Sequence, residues 1–225
     1  MKLTFYGHAS FLLETQGQRV LFDPFISPNP LAASIDVDAI ETDLILVSHG
    51  HQDHVVDVES IAKRNGCKVI ANFEVASWFG EKGLETMPMN HGGTWHTPAG
   101  AVKMVNAVHS SVLPDGTYGG NPGGFVITNE EGCVYYAGDT ALTMDMKLIG
   151  MQHKVDVAIL PIGDVFTMGT DDAILAADFV GCDTVIGMHF NTFPPIEVDA
   201  EAAKAKFAEA GKTLILMDIG SNWER

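Results

Sequence analysis

A dense cluster of potential metal ligands constrains this sequence more than any other feature. The segment Ser48–His54 (SHGHQDH) holds three histidines and one aspartate directly after the short apolar run Leu44–Val47. His49 and His51 are two residues apart, so their side chains point the same way in an extended segment. Imidazole and carboxylate groups together suit Zn(II), Mn(II) or Fe(II). The segment therefore predicts a transition-metal site at the carboxyl end of a buried strand.

Three later residues with ligand side chains stand in similar places. His109, Asp139 and His189 each come just after an apolar run that is typical of a strand. Those runs are Ala101–Ala107, Val134–Ala137 and Thr184–Met188. Loops at strand ends commonly carry function on a rigid sheet. Together with the first cluster, these side chains supply seven ligands, enough for two metal ions with open positions.

The order of predicted elements indicates an α/β fold. Short strands fill the first third of the chain, with a hairpin turn at Gln16-Gly17-Gln18, and strands alternate with helices towards the end. This order favours two sheets packed face to face with helices outside, an α/β layered sandwich. Linkers and low-complexity segments are absent, so residues 1–225 are expected to form a single domain.

Charge and composition limit the partners and the compartment. The 225 residues carry a formal net charge of −16, which disfavours nucleic acids and anionic membrane surfaces. We find neither a signal peptide pattern nor an apolar run long enough for a membrane span. The three cysteines, Cys67, Cys133 and Cys182, are odd in number and widely spaced, which favours free thiols. We therefore expect a cytoplasmic protein.

The series His-x-His-x-Asp-His, lone His, Gly-Asp-Thr and final His resembles the metallo-β-lactamase superfamily. Four further segments look like those of the UPF0173 group of metal-dependent hydrolases, which is similar to the ascorbate-6-phosphate lactonases. They are Tyr6–Ser10, Asp23-Pro24, Phe166–Gly169 and Met188–Pro194. The resemblance spans nearly the whole chain. It implies a four-layer αββα sandwich with the metals at one edge of the sheets.

The resemblance also implies a role for each ligand. One divalent ion would be held by His49, His51 and His109, the second by Asp53, His54 and His189, and Asp139 would bridge them. Zn(II) and Mn(II) are the first candidates and Fe(II) the next; the ligand types do not separate Zn(II) from Mn(II), because His and Asp serve both. A hydroxide shared by the two ions would attack a small ester, lactone or phosphoester. Asp53 is therefore expected to be essential for catalysis.

Five other residues are candidates for supporting roles. Asp23 and Asp164 would each accept a hydrogen bond from a metal-bound imidazole, or would merely begin a turn. By the resemblance, His8 would contact the substrate or donate a proton to the leaving group, with a purely structural role as the alternative. Asn191 and Thr192 flank His189 and would hydrogen-bond an oxyanion.

Two other functions fit the same fold. One is a di-iron redox enzyme, but such proteins carry Glu at the position of His51, and no flavin domain follows here. The other is a non-catalytic metal-binding member, against which the full ligand set counts. The expected partner is a small molecule, an anionic one included, and a homo-oligomer is compatible with the sequence.

Overall fold

Two seven-stranded sheets and six α-helices form the chain in the computed structural model, which describes residues 1–225. The strands are β1 (Lys2–Gly7), β2 (Ser10–Thr15), β3 (Gln18–Phe22), β4 (Leu44–Leu46), β5 (Lys68–Asn72), β6 (Thr86–Met89), β7 (Thr94–Thr97), β8 (Gly100–Asn106), β9 (Gly123–Asn129), β10 (Gly132–Tyr136), β11 (Val157–Pro161), β12 (Thr184–Met188), β13 (Thr213–Ile215) and β14 (Asn222–Glu224). The helices are α1 (Gln52–Val55), α2 (Val58–Asn65), α3 (Phe73–Glu81), α4 (Met146–Gln152), α5 (Thr170–Val180) and α6 (Ala200–Glu209). None of these helices combines the length and apolarity needed to cross a membrane.

Both sheets are mixed. The first has the order β14-β1-β2-β3-β4-β5-β6, antiparallel from β14 to β3 and parallel from β3 to β6. The second has the order β13-β12-β11-β10-β9-β8-β7, with its parallel part at β10 to β13. The predicted hairpin turn is confirmed, since Gln16 and Gly17 both have positive φ between β2 and β3.

The side chains of each strand alternate between two apolar layers. In β2, Phe11 and Leu13 face the second sheet, whereas Leu12 lies in a separate cluster with residues of α2 and α3. The helices α4, α5 and α6 pack on the other side of the second sheet, where Ala176 and Phe207 join the central core. The layers are therefore helix, sheet, sheet, helix, and the predicted αββα sandwich is confirmed.

One edge of the sandwich collects the carboxyl ends of many strands. Strands β1, β3, β4 and β5 run in one direction in the first sheet, as do β8, β10, β11 and β12 in the second. Main-chain hydrogen bonds join the two sheets at this edge, from His189 N to His8 O at 2.8 Å and from Gly123 N to Ser48 O at 3.0 Å. The sequence-predicted ligands follow these strand ends.

Three strands were not expected from the sequence, and all three lie at sheet edges. Strand β6 contains Pro88, which cannot donate to a ladder and is tolerated at an edge. Strands β7 and β14 are short and largely exposed, so they lack the apolar run that marks a buried strand. The one-turn helix α1 was also not expected, because four residues show no helical periodicity.

Candidate metal centre

The carboxylate of Asp139 lies at the middle of the ligand cluster. Its Oδ2 is 3.0 Å from His189 Nε2, 3.3 Å from His54 Nε2, 3.6 Å from His109 Nε2 and 4.0 Å from His49 Nε2. These residues come from four different strand ends on both sheets. The structure therefore brings together side chains that are separated by up to 140 positions in the sequence.

The other ligand atoms fall into two sets on either side of Asp139. The imidazole half consists of His49, His51 and His109, and the carboxylate half consists of Asp53, His54 and His189, with a ring nitrogen of His8 close to the same three ligand atoms. Within the carboxylate half, Asp53 Oδ2 is 3.7 Å from His189 Nε2 and 3.9 Å from His54 Nε2. In the imidazole half, His49 Nε2 and His51 Nδ1 face each other at 3.0 Å. Each half offers three ligand atoms close enough to share one ion.

A tight turn after β4 positions the first cluster. The strand ends at Leu46, and His51 is the extended residue that precedes the short helix α1. Asp53 and His54 therefore lie within the first turn of α1, where His54 N donates to His51 O at 2.9 Å. This turn directs His51 and Asp53 into different halves although they are only two residues apart.

Asp23 supports the rings of two histidines from behind. It is fully buried, and its Oδ2 lies 2.8 Å from His54 Nδ1. The same carboxylate accepts hydrogen bonds from Ser48 N and Ser48 Oγ, and Ser48 Oγ also lies 2.9 Å from His49 Nδ1. A proton on Nδ1 of His54 leaves its Nε2 lone pair facing Asp139. This is the usual way in which a carboxylate orients a metal-bound imidazole.

Burial and the two carboxylates set opposite protonation preferences within the cluster. Burial lowers the pKa of His49 well below its ordinary value. Burial also disfavours a charged His189, but the charge of Asp139 together with hydrogen bonds to Asp139 and Asp53 raises the His189 pKa to about 9. Burial also opposes a charged His54, but the charges and hydrogen bonds of Asp139 and Asp23 together raise the His54 pKa well above its ordinary value. The carboxylate of Asp139 thus favours positive charge on the two rings that lie nearest to it.

The donor set fits divalent transition-metal ions. His54 Nε2 and Asp139 Oδ1 are buried and have no hydrogen-bond partner, although a buried polar atom normally has one. Nitrogen and carboxylate oxygen donors around a shared carboxylate suit zinc, manganese or iron. A cation would satisfy both unpartnered atoms and would balance the carboxylate charge.

His8 lies behind Asp53 and is almost completely buried, with 2% of its surface exposed. Its Nε2 is 3.1 Å from Asp53 Oδ2, and its Nδ1 is 2.9 Å from Thr192 Oγ1. Burial lowers the pKa of His8 to about 4, even though Asp53 raises it. Both ring nitrogens of His8 thus have a hydrogen-bond partner within the protein: Asp53 at Nε2 and Thr192 at Nδ1.

Asp164 and Asn191 contact their own loops. Asp164 Oδ1 accepts a hydrogen bond from Val165 N at 2.8 Å, and Asn191 Oδ1 accepts one from Val198 N at 2.7 Å. Neither side chain lines the cleft that opens over the ligands. The contact of Asp164 is the one expected of a residue that begins a turn. The contact of Asn191 closes the loop that follows His189.

Two supporting residues were not expected from the sequence. Tyr136 is fully buried, and its Oη donates to Asp23 Oδ2 at 2.7 Å. A buried tyrosine hydroxyl usually needs a partner, so its position just before Gly138-Asp139 was an available signal. Ser111 Oγ accepts from Gly50 N at 3.0 Å and donates to Gly119 O at 2.9 Å, which ties the loop after β8 to the first ligand segment. The sequence carries no local signal for that contact.

An open cleft of about 380 Å³ gives access to the ligands. His51, Asp53, His109, Asp139 and His189 line one part of it. The remaining lining consists of Ser110 and the apolar side chains Val165, Phe166 and Phe193. The volume lies at the lower end of the range for small-molecule sites.

Comparison with known proteins identifies the family of this chain. Residues 2–189 match the family model described as a β-lactamase superfamily domain. UPF0173 metal-dependent hydrolases of Flavobacterium johnsoniae and Christiangramia forsetii are 54% and 55% identical, each over 100% of both chains. The structure of Igni18, a metallo hydrolase from the archaeon Ignicoccus hospitalis, is 34% identical with a TM-score of 0.90, covering 100% of this chain and 98% of that chain. The chain therefore belongs to the UPF0173 family of metal-dependent hydrolases in the metallo-β-lactamase superfamily.

Proposed function

We propose that this protein is a binuclear hydrolase that cleaves a small ester, lactone or phosphoester. The position of Asp139 carries this proposal, because one carboxylate oxygen lies within 4.0 Å of histidine nitrogens from both halves. The imidazole half would hold one ion, the carboxylate half would hold the other, and Asp139 would contact both. Zn(II) or Mn(II) is the expected metal, with Fe(II) next.

Two bound divalent ions would supply an activated water at neutral pH and would stabilise negative charge on the reacting oxygens. The protein residues hold the ligands for that chemistry. Asp23 orients His54 directly and His49 through Ser48. We assign His8 to positioning Asp53, because its two nitrogens contact Asp53 and Thr192 and its ring is buried away from the cleft.

The cleft supports a small substrate. Its volume of about 380 Å³ accommodates a small metabolite and is too small for a folded polymer. The net charge of −16 disfavours long polyanions, since they need many Lys and Arg contacts. A small anionic group could still approach the ions themselves.

The first test is metal analysis joined to a hydrolysis panel. We expect close to two transition-metal ions per chain and turnover of at least one class among lactones, carboxylic esters and phosphoesters after loading with Zn(II) or Mn(II). Asp53→Ala should lower turnover by more than about a hundredfold, because loss of even an outer-shell partner costs 10- to 100-fold. It should also lower the metal content to about one ion.

Asp172→Ala is the matched control, since Asp172 is an exposed carboxylate at the start of α5 and outside the cleft. This variant should keep both ions and full turnover. Normal turnover in Asp53→Ala would exclude the two-metal site. An active protein without any metal would exclude metal-dependent hydrolysis altogether.

A further inference from the structure

We propose that the substrate carries an apolar alkyl or aryl group beside the bond that is cleaved, and that Phe166 with Val165 and Phe193 selects for it. This inference rests on the proposed hydrolase function and narrows its substrate class. It favours an apolar ester or lactone as the substrate over a phosphorylated sugar derivative. Three observations carry it: the apolar wall of the cleft, the absence of cationic side chains there, and the way the wall is held in place.

The part of the cleft lining that holds no ligand is mostly apolar and open. Phe166 is 51% exposed and Val165 is 65% exposed, and both face the cleft together with Phe193. Such large apolar side chains at the mouth of a polar site are typical of ligand recognition. A substrate group that covers them would remove their apolar surface from water, which favours binding.

Cationic side chains are absent from the lining. None of the nine residues that line the cleft is a lysine or an arginine. Sites that bind phosphate away from a metal usually use arginine or lysine for this purpose. A phosphate on the remote part of a substrate would therefore meet Val165, Phe166 and Phe193 without a charged partner. The reacting end is different, since the bound ions would attract negative charge there.

The loop that carries the wall is fixed in an uncommon conformation. Asp164 and Val165 have φ values of 60° and 50°, and a β-branched residue rarely adopts this left-handed region. Asp164 Oδ1 accepts from Val165 N at 2.8 Å, and Asp164 N donates to Met168 O at 3.0 Å. Met168 is fully buried, and its N donates to Thr140 O at 3.1 Å. Thr140 follows Asp139, so the apolar wall is tied to the centre of the ligand cluster.

Strained backbone of this kind persists only where surrounding contacts enforce it, and it is concentrated at functional sites. Phe193 approaches from the other side, on the loop after β12, and its ring packs against His8 with centroids 5.4 Å apart. The two loops therefore place apolar surface at a fixed distance from the reacting centre.

The test is a chain-length series on the metal-loaded protein. We would measure kcat/KM for γ-lactones whose side chain grows from none to butyl, and for ethyl esters from acetate to hexanoate, by following acid release. Each methylene that becomes buried should raise kcat/KM by roughly two- to fourfold. We expect at least about a tenfold rise across each series, whereas 6-phosphogluconolactone should be a poor substrate.

Phe166→Ala should lower kcat/KM for the longest substrate by about tenfold and reduce the dependence on chain length. Phe166→Leu should keep most of that dependence, because it retains a large apolar side chain. Leu148→Ala is the matched control, since Leu148 is 52% exposed on α4 and lies outside this cleft. It should leave the series unchanged.

A binding measurement provides a second readout that does not depend on turnover. Calorimetric titration of the metal-loaded protein with acetate and hexanoate should show tighter binding of hexanoate, and this preference should disappear in Phe166→Ala. A flat chain-length series, equal binding of the two acids, or a preference for the phosphorylated lactone would overturn this inference and leave the hydrolase proposal standing. Hydrolysis of no substrate in the whole panel would overturn the hydrolase proposal instead, while the two acids would still test the apolar wall.

Discussion

The two halves of the candidate metal centre differ in how firmly their ligands are held. In the carboxylate half, the side chains of His54 and His189 are 0% and 3% exposed, and Asp53 is backed by His8. In the imidazole half, His49 is buried, but His109 is 14% exposed and His51 is half-buried. The carboxylate half therefore has two buried rings and one carboxylate, Asp53, that is 28% exposed, whereas the imidazole half has one buried ring and two partly exposed ones.

The halves also differ in charge. The carboxylate half includes Asp53, whereas the imidazole half has three imidazole rings and no carboxylate except the shared Asp139. A half with its own carboxylate and buried rings should retain its ion longer when the protein is dialysed against a chelator. The two halves therefore need not bind their ions with equal affinity, although each has three ligands of its own. The residues that support the ligands should decide which ion is lost first.

The largest loss of metal and turnover is expected for Asp139→Ala, because Asp139 lies close to the ligands of both halves. We expect metal content below one ion per chain and a loss of turnover greater than about a hundredfold. Asp139→Asn keeps one oxygen ligand and should retain more metal than the alanine variant. Two tightly bound ions in Asp139→Ala would show that the halves bind independently, which contradicts the bridging assignment.

Smaller losses of metal affinity are expected for variants of the residues that support the ligands, and they should distinguish the two halves. Asp23→Asn should weaken both ions by about 10- to 100-fold, because Asp23 supports His54 directly and His49 through Ser48. His8→Asn should weaken only the ion of the carboxylate half, since His8 contacts Asp53. Asparagine suits both positions, where φ is positive. Competition with a chelator would resolve the two affinities, and an equal loss of both ions in His8→Asn would contradict the division.

The smallest effect is expected for Ser110→Ala. Ser110 Oγ lies 3.3 Å from His51 Nε2 at the exposed mouth of the cleft, so its loss should change metal affinity by less than about threefold. Ser48→Ala is the matched comparison, because Ser48 is fully buried behind His49 and should cost about tenfold. Similar losses in the two serine variants would show that burial of the supporting residue does not matter.

Much of the fold could be predicted because its central strands are apolar and sharply bounded. Leu44–Val47 and Val134–Ala137 were recognisable from their apolar composition, and the strands β4 and β10 confirm them within two residues at each end. The edge strand β6 could not be found, because Pro88 and exposed neighbours remove the usual pattern. The local sequence pattern therefore identifies the buried central strands. The edge strands form through pairing with distant strands, which the local pattern does not show.

The candidate site divides in the same way. The positions of His109, Asp139 and His189 just past strand ends predicted that they would meet at one edge, and the structure places them there. The contacts of His8 with Thr192 and of Asp23 with Tyr136 join residues 184 and 113 positions apart, and no local pattern encodes them. The apolar wall formed by Val165 and Phe166 depends on an uncommon turn with positive φ, which could not be predicted from the sequence.

The main-chain bonds from His189 N to His8 O and from Gly123 N to Ser48 O join the two sheets at the ligand edge. Because each ligand half takes residues from both sheets, complete halves exist only once the two sheets have docked. An ion that binds the native state alone stabilises it by mass action, by about 2.7 kcal/mol when its free concentration is a hundred times its Kd. Metal supply in the cell would then govern how much folded protein accumulates, as well as how active each molecule is.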